Sequence, residues 1–129
     1  MIWKGISFER QKSNIYWKTN EEEIDEIGIG GSKEEEIEAS QWIAFKDQFF
    51  NTTLLTEGMI KKGAILSSTI DSDDTVYVAN YNAQFNFDDD SEDSYKMQYF
   101  FGPNDYKLLK SYGNDQEEIV ELGSTFFIF

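Results

Sequence analysis

Apolar residues recur along much of this chain at every second position, the spacing of strands that bury one face. Ile2, Ile6 and Phe8 alternate with Trp3, Gly5 and Ser7. A polar stretch over 9–13 follows, and Ile15, Tyr16 and Trp17 resume the pattern within 14–19. The two segments suggest a hairpin. Glu21, Glu22 and Glu23 interrupt, then Ile24, Ile27 and Ile29 lead to a Gly30-Gly31-Ser32 break. Residues 33–38 are charged around one apolar residue, Ile37, and read as a loop or an edge strand. Over 41–56 the signals compete: Trp42, Phe45 and Phe49 have helical spacing, while Asn51-Thr52-Thr53-Leu54-Leu55-Thr56 is strand-like. Two strands, or one bent strand, is the expectation there. Lys61-Lys62-Gly63 marks a turn before a short strand over 64–70. The clearest alternation is Tyr77, Ala79, Tyr81, Ala83, Phe85 and Phe87, interleaved with Asn80, Asn82, Gln84 and Asn86. An acidic loop over 88–94 separates it from Tyr95, Met97, Tyr99 and Phe101, which alternate again. These two strands are expected to pair as an antiparallel hairpin.

The period changes near the end. Gly102-Pro103 punctuates the strand, and Pro suits the first turn of a helix. Asp105, Leu108, Leu109 and Tyr112 then stand at i, i+3, i+4 and i+7, with Gly113 as the stop. Asn114 with Glu117 resembles a second helix start, leading to Ile119, Val120 and Leu122. Phe126, Phe127, Ile128 and Phe129 finish on an apolar run that needs burial or continuation. The expected fold is all-β, mostly antiparallel: a sandwich with one or two C-terminal helices. Residues 1–129 read as a single domain, with sandwich strands over 1–101 and a helical end over 102–129.

Composition narrows the function. With 129 residues the chain can hold one core. Its 25 acidic residues against 11 basic ones give a formal charge of -14, which repels phosphate backbones and anionic headgroups alike. Nucleic-acid binding and direct membrane binding are therefore not expected; Lys61-Lys62 and the Lys107, Lys110 pair are too sparse to change that. Histidine is absent, which removes the commonest general base and metal ligand. Cysteine is absent too, so disulfides and thiolate metal sites drop out. No apolar run approaches the roughly 20 residues that span a bilayer. Met1-Ile2-Trp3-Lys4 shows no signal peptide and runs straight into strand-like sequence, so the start reads as a cut within a larger domain.

Candidate chemistry is thin. Asp88, Asp89, Asp90, Glu92 and Asp93 could offer oxygens to Ca²⁺, but they lack the glycine and twelfth-position Glu of an EF-hand loop. Asp71, Asp73 and Asp74 fail the same test, and a solvated hairpin tip is the plainer reading of both. A carboxylate pair could hydrolyse glycosides without histidine, yet nothing singles out two acids among 25. Trp3, Trp17, Trp42 and the Tyr-rich strand could form a sugar-stacking platform, against the simpler reading that they are core. Gly28-Ile29-Gly30-Gly31 is too short to cradle phosphate. Asn51-Thr52-Thr53 has the pattern of a glycosylation acceptor. No catalytic, cofactor-binding or metal-binding residue is expected, and no cofactor.

From residue 41 onward the order of segments resembles a known family. Gln41-Trp42-Ile43-Ala44-Phe45-Lys46-Asp47-Gln48-Phe49-Phe50 is similar to a segment of the periplasmic domain of YidC-type membrane-protein insertases, where a Trp-aliphatic-Ala stretch precedes a Gln-aromatic-Phe stretch. Residues 99–113, from Tyr99-Phe100-Phe101-Gly102-Pro103 to Tyr112-Gly113, look like that family's strand ending in Gly-Pro and its following helix. Glu118-Ile119-Val120-Glu121-Leu122-Gly123 resembles its approach to a membrane-surface helix, although Ser124 stands where the family has an aromatic residue. The resemblance implies a β-supersandwich on the periplasmic side of the inner membrane of a Gram-negative bacterium, about twice this long, of which these residues would be the second half. It further implies a non-catalytic role in membrane-protein insertion, with Sec translocon components and nascent membrane proteins as partners through the full-length protein. Trp42, Phe45, Phe49, Tyr106 and Phe126 are the candidate partner contacts, and self-association through strand edges is a further expectation. The alternative is an extracytoplasmic carbohydrate-binding sandwich module; an acidic decoy of nucleic-acid-binding proteins is a third class, disfavoured because the acids cluster at turns.

Overall fold

The structure, a computed structural model, describes residues 12–28, 32–60, 63–70, 79–85 and 96–120, with backbone alone over 57–60. Among the described residues, eight strands form two antiparallel sheets: β1 (Asn14–Thr19), β2 (Ile24–Glu26), β3 (Lys33–Ile37), β4 (Ser40–Lys46), β5 (Phe50–Ile60), β6 (Ala64–Thr69), β7 (Asn80–Phe85) and β8 (Met97–Pro103). The larger sheet has the order β2-β1-β4-β5-β8, and the smaller one β3-β6-β7. A helix, α1 (Tyr106–Ser111), and a 3₁₀ turn (Gln116–Ile119) follow the last strand.

β4 shows why the sheets stack as they do. Its sequence is apolar at successive positions, so both faces of the strand need cover. Ile43 points to the side of Ile15 and Trp17, where Ile27, Ile37, Ala64 and Leu66 complete a core between the two sheets. Trp42 and Ala44 point the other way and pack with Leu109 and Ile119 from the C-terminal helical segment. The five-stranded sheet is thus a middle layer, with the small sheet on its inner face and α1 plus the 3₁₀ turn on its outer face. Strands β4 and β5 realise the two-strand reading of 41–56, with Ile43 opposite Leu54 and Phe45 opposite Thr52. β3 is an edge strand of charged residues, which discourages further pairing at that edge.

Helix α1 follows its sequence signals. Asp105 is the N-cap and its carboxylate accepts from the Leu108 N–H at 3.2 Å. Gly113 sits at φ 75°, the left-handed position that ends helices. Pro103, however, is the last residue of β8 and not part of the helix's first turn. The second helical element is a 3₁₀ turn capped by Asp115 at φ 66°, and that residue's side chain makes no cap bond.

The expected β7–β8 hairpin does not form. β7 pairs with β6, Leu66 opposite Ala83, while β8 pairs with β5, Leu54 opposite Tyr99. The reason is that alternation specifies a strand's face and leaves its partner open. β5 offers its free edge to β8 from Phe50 to Thr56, and β6 offers its own to β7. The half-buried face of β7 is as expected, with Tyr81, Ala83 and Phe85 packed on the inter-sheet core. The first arm of the expected N-terminal hairpin, Tyr77, Tyr95 and the segments at 71–74 and 88–93 lie outside the described residues.

Candidate interaction face

Among the described residues, the three strands of the small sheet do not cover all five of the large one. On the inner face of the large sheet, β1 and β4 lie beneath the small sheet, but β5 and β8 extend past it. Among the described residues, the face they leave open carries Phe50, Thr52, Met97, Tyr99 and Phe101, with the buried Leu54 on the same side where β7 approaches. Tyr99 is 73% exposed and Phe101 77%, unusual values for large aromatic side chains on a sheet. The Phe50 and Phe101 rings stack at 6.4 Å with planes 8° apart. Where the face passes under β7 it becomes a groove of about 220 Å³, lined by Ile43, Phe45, Leu54, Tyr81, Phe85 and Tyr99 among others, with no charged side chain. Among the described residues, β7 and β8 are both sheet edges, so the groove lies between two rows of backbone groups available to a further strand.

One end of this face is fixed by a partly buried polar cluster. The turn between β4 and β5 is held by Asn104, whose side-chain N–H groups donate to the Asp47 carbonyl at 2.8 Å and the Gln48 carbonyl at 3.1 Å. Its backbone N–H donates to the Phe49 carbonyl at 2.7 Å. Its Oδ1 accepts from Asn51 Nδ2 at 3.0 Å, and Thr53 Oγ1 donates to Asn51 Oδ1 at 2.7 Å. The turn is thereby held with Phe49 63% exposed at its tip. Asn51 is 2% exposed and bonded on both sides, so the glycosylation pattern at Asn51-Thr52-Thr53 presents no accessible acceptor.

Two ionisable groups beside the groove are shifted. Burial raises the Asp47 carboxyl above its usual value. Burial also pushes the Tyr81 hydroxyl well up, partly offset by a hydrogen bond with Ser13, with Asp47 and Tyr16 adding smaller upward pushes. Tyr81 packs on Phe45 at 5.6 Å and is neutral throughout the physiological range.

The residues singled out from sequence scatter over the molecule. Trp42 is 1% exposed in the outer core, where its indole N–H donates to the Asn114 carbonyl at 2.9 Å. Phe45 is half-buried and lines the groove, Phe49 stands at the exposed tip, and Tyr106 is half-buried at the start of α1 under Lys110 at 5.7 Å. Phe126 lies outside the described residues. Trp17 joins Trp42 in the buried set, which removes both from any sugar-stacking platform. Sequence reasoning missed Asn104 and the exposure of Tyr99 and Phe101. Alternation marked those two as belonging to a face to be covered, and nothing local told that the cover was short. Among the described residues no group of three or more acidic side chains could hold a metal ion. None of the described helices is long and apolar enough to cross a membrane.

Comparison with known proteins identifies the family. The family described as the YidC periplasmic domain matches residues 5–129. A protein of Bacteroides fragilis named "Membrane protein insertase YidC" is 28% identical over 130 residues, covering 98% of this chain and 21% of that protein. A namesake from Phocaeicola vulgatus is 35% identical over 109 residues, or 82% of this chain and 17% of that protein. One from Porphyromonas gingivalis is 26% identical over 135 residues, 96% and 22% respectively. The chain thus spans about a fifth of the length of the curated relatives it matches. No solved structure matches it.

Proposed function

Since the chain belongs to the YidC periplasmic domain family, we propose that it serves a membrane-protein insertase on the periplasmic side of the inner membrane, by contact and without catalysing a reaction. The observation that carries this reading is the uncharged, uncovered face of β5 and β8 with its two exposed aromatic residues. Surface of that kind on a chain of net charge -14 is made to be covered by another protein surface. Part of the cover comes from the same protein: these residues belong to a larger periplasmic domain, and further strands continue from the edges of β7 and β8 across the open face. The remaining contact area, made of Phe49 at the tip of the β4–β5 turn, Phe45 in the groove and Tyr106 at the start of α1, serves emerging membrane proteins and translocon components. Phe126 is part of the same proposal on sequence alone. An aromatic residue presented on a held turn is a favourable anchor because little backbone freedom is lost on binding.

Site-specific photo-crosslinkers at Phe49, Tyr99 and Phe101 in the full-length protein, in native membranes, test the reading. Tyr99 and Phe101 should capture the protein's own periplasmic strands, and Phe49 should capture nascent membrane proteins or translocon subunits. Labels that react only with solvent at all three positions would remove the contact role. Edges that instead join two copies would appear as crosslinked dimers from position 99 or 101.

A further inference from the structure

The helical segment on the outer face of the large sheet is tied to that sheet by side chains. Among the described residues, the backbone hydrogen bonds of 105–120 close within the segment: the Leu109 N–H donates to the Asp105 carbonyl at 2.9 Å, Gly113 to Lys110 and Glu118 to Asp115, each at 3.1 Å. α1 has six residues and the 3₁₀ turn four, too few to keep a helical shape in isolation. Leu109 and Ile119 pack on Trp42 and Ala44, the Tyr112 ring meets Phe100 edge-on at 5.6 Å, and the Trp42 indole donates to the Asn114 carbonyl at 2.9 Å. One charged contact joins these. Lys18 stands opposite Trp42 in the β1–β4 register, so its side chain lies on the same outer face. Its ammonium, on a residue only 5% exposed, is 3.1 Å from the half-buried Asp115 carboxylate and 3.7 Å from that of the exposed Glu22.

We propose that residues 105–120 form a strap that lifts off the sheet as a unit, with the Lys18–Asp115 pair as its latch. No ladder hydrogen bond has to break for the strap to lift, because its backbone bonds are its own. Asn104 stays behind, bonded to Asn51 and to the β4–β5 turn, so the hinge falls between Asn104 and Asp105. A buried ammonium makes closure conditional. Beside an ionised Asp115 its loss of water is offset; without that charge, closing the strap leaves a poorly matched cation under it, and an apolar side chain at position 18 would need no partner at all. Lifting uncovers Trp42, Ala44, Leu55 and Phe100, a second apolar surface that the closed strap keeps covered. It lies on the other side of the large sheet from Tyr99 and Phe101, so the strap stands or falls independently of the role given to the open face.

Hydrogen–deuterium exchange of the full-length protein, read by mass spectrometry, tests both halves of this. In the parent, the hydrogen-bonded amides of 105–120 should exchange at least about tenfold faster than those of β4 and β5, through an opening that leaves the sheet intact. Asp115→Asn keeps a residue type that tolerates φ 66°. It should speed exchange over 105–120 by roughly a further tenfold, the low end for a broken buried pair because Glu22 remains nearby, and leave β4 and β5 unchanged. Lys18→Met added to that variant should return the segment to the parent rate or below. Exchange over 105–120 that keeps step with β4 and β5 in the parent would overturn the strap. A double variant that exchanges as fast as Asp115→Asn alone would overturn the latch. The parent comparison needs no substitution, so a variant that fails to fold does not shield the proposal.

Discussion

Asn104 does more for this fold than any local property of asparagine suggests. It accepts from one buried amide and donates to two turn carbonyls, joining β5, β8 and the β4–β5 turn. Asn104→Ala leaves Asn51 Nδ2 buried without an acceptor, so a loss of about 2–3 kcal/mol is expected, read as a lower urea midpoint at unchanged slope. Asp47, at the same turn, works against the fold as a charged group. Its folded-state pKa is raised above the ordinary 3.8, so its effect favours folding fully only below that value and is lost as the pH rises through the folded-state value. Asp47→Asn should therefore raise the unfolding midpoint at neutral pH, modestly because the side chain keeps a solvent-facing side. The gain should disappear in acid. Parallel urea titrations at neutral and acid pH check both the sign and the window.

Between elements, the tightest joint is the entry to β6. Gly63 lies at φ 76°, and a Cβ there would stand 2.0 Å from the Ile37 carbonyl oxygen. Backbone fills that space, so no side-chain rotation relieves the clash. Gly63→Ala should cost at least about 2 kcal/mol, from the strained backbone and from pushing β3 off β6. A thermal melt reads the loss, and faster hydrogen exchange confined first to β3 and β6 would locate it. The second joint is the outer core, where Trp42 meets Leu109 and Ile119. There a helical segment too short to hold by itself is stable because the sheet supplies the apolar surface it lacks.

Across the described residues, the molecule is a middle sheet covered on one side by helical segments and only partly on the other. Its exposed aromatic residues contribute little to its own stability. The double substitution Tyr99→Ser with Phe101→Ser should shift the unfolding free energy by no more than about 1 kcal/mol, since both side chains are mostly in solvent. The same variant should bind less of a hydrophobic reporter dye and elute later, or more symmetrically, on size exclusion. A large loss of stability would mean that these rings pack within the chain, and the open face would cease to be an interaction surface.

Local pattern established several strands: the readings of 14–19 and 64–70 match β1 and β6, the alternation from Tyr77 to Phe87 contains β7, and the helical spacing after 103 marks α1 with its stop at Gly113, while the cap at Asp105 was seen only in the structure. These are short-range properties, written in which side chains repeat and which residues tolerate special backbone angles. The two ordered aromatic motifs likewise sufficed to point to the family. Pairing was another matter. β7 and β8 carry the same alternation, yet one lies in each sheet, because a strand's partner is set by which free edges are left once the cores close. For the same reason the sequence could not say that Tyr99 and Phe101 face solvent while Trp42 is enclosed. Exposure depends on how many strands arrive to cover a face, a count that no single strand contains.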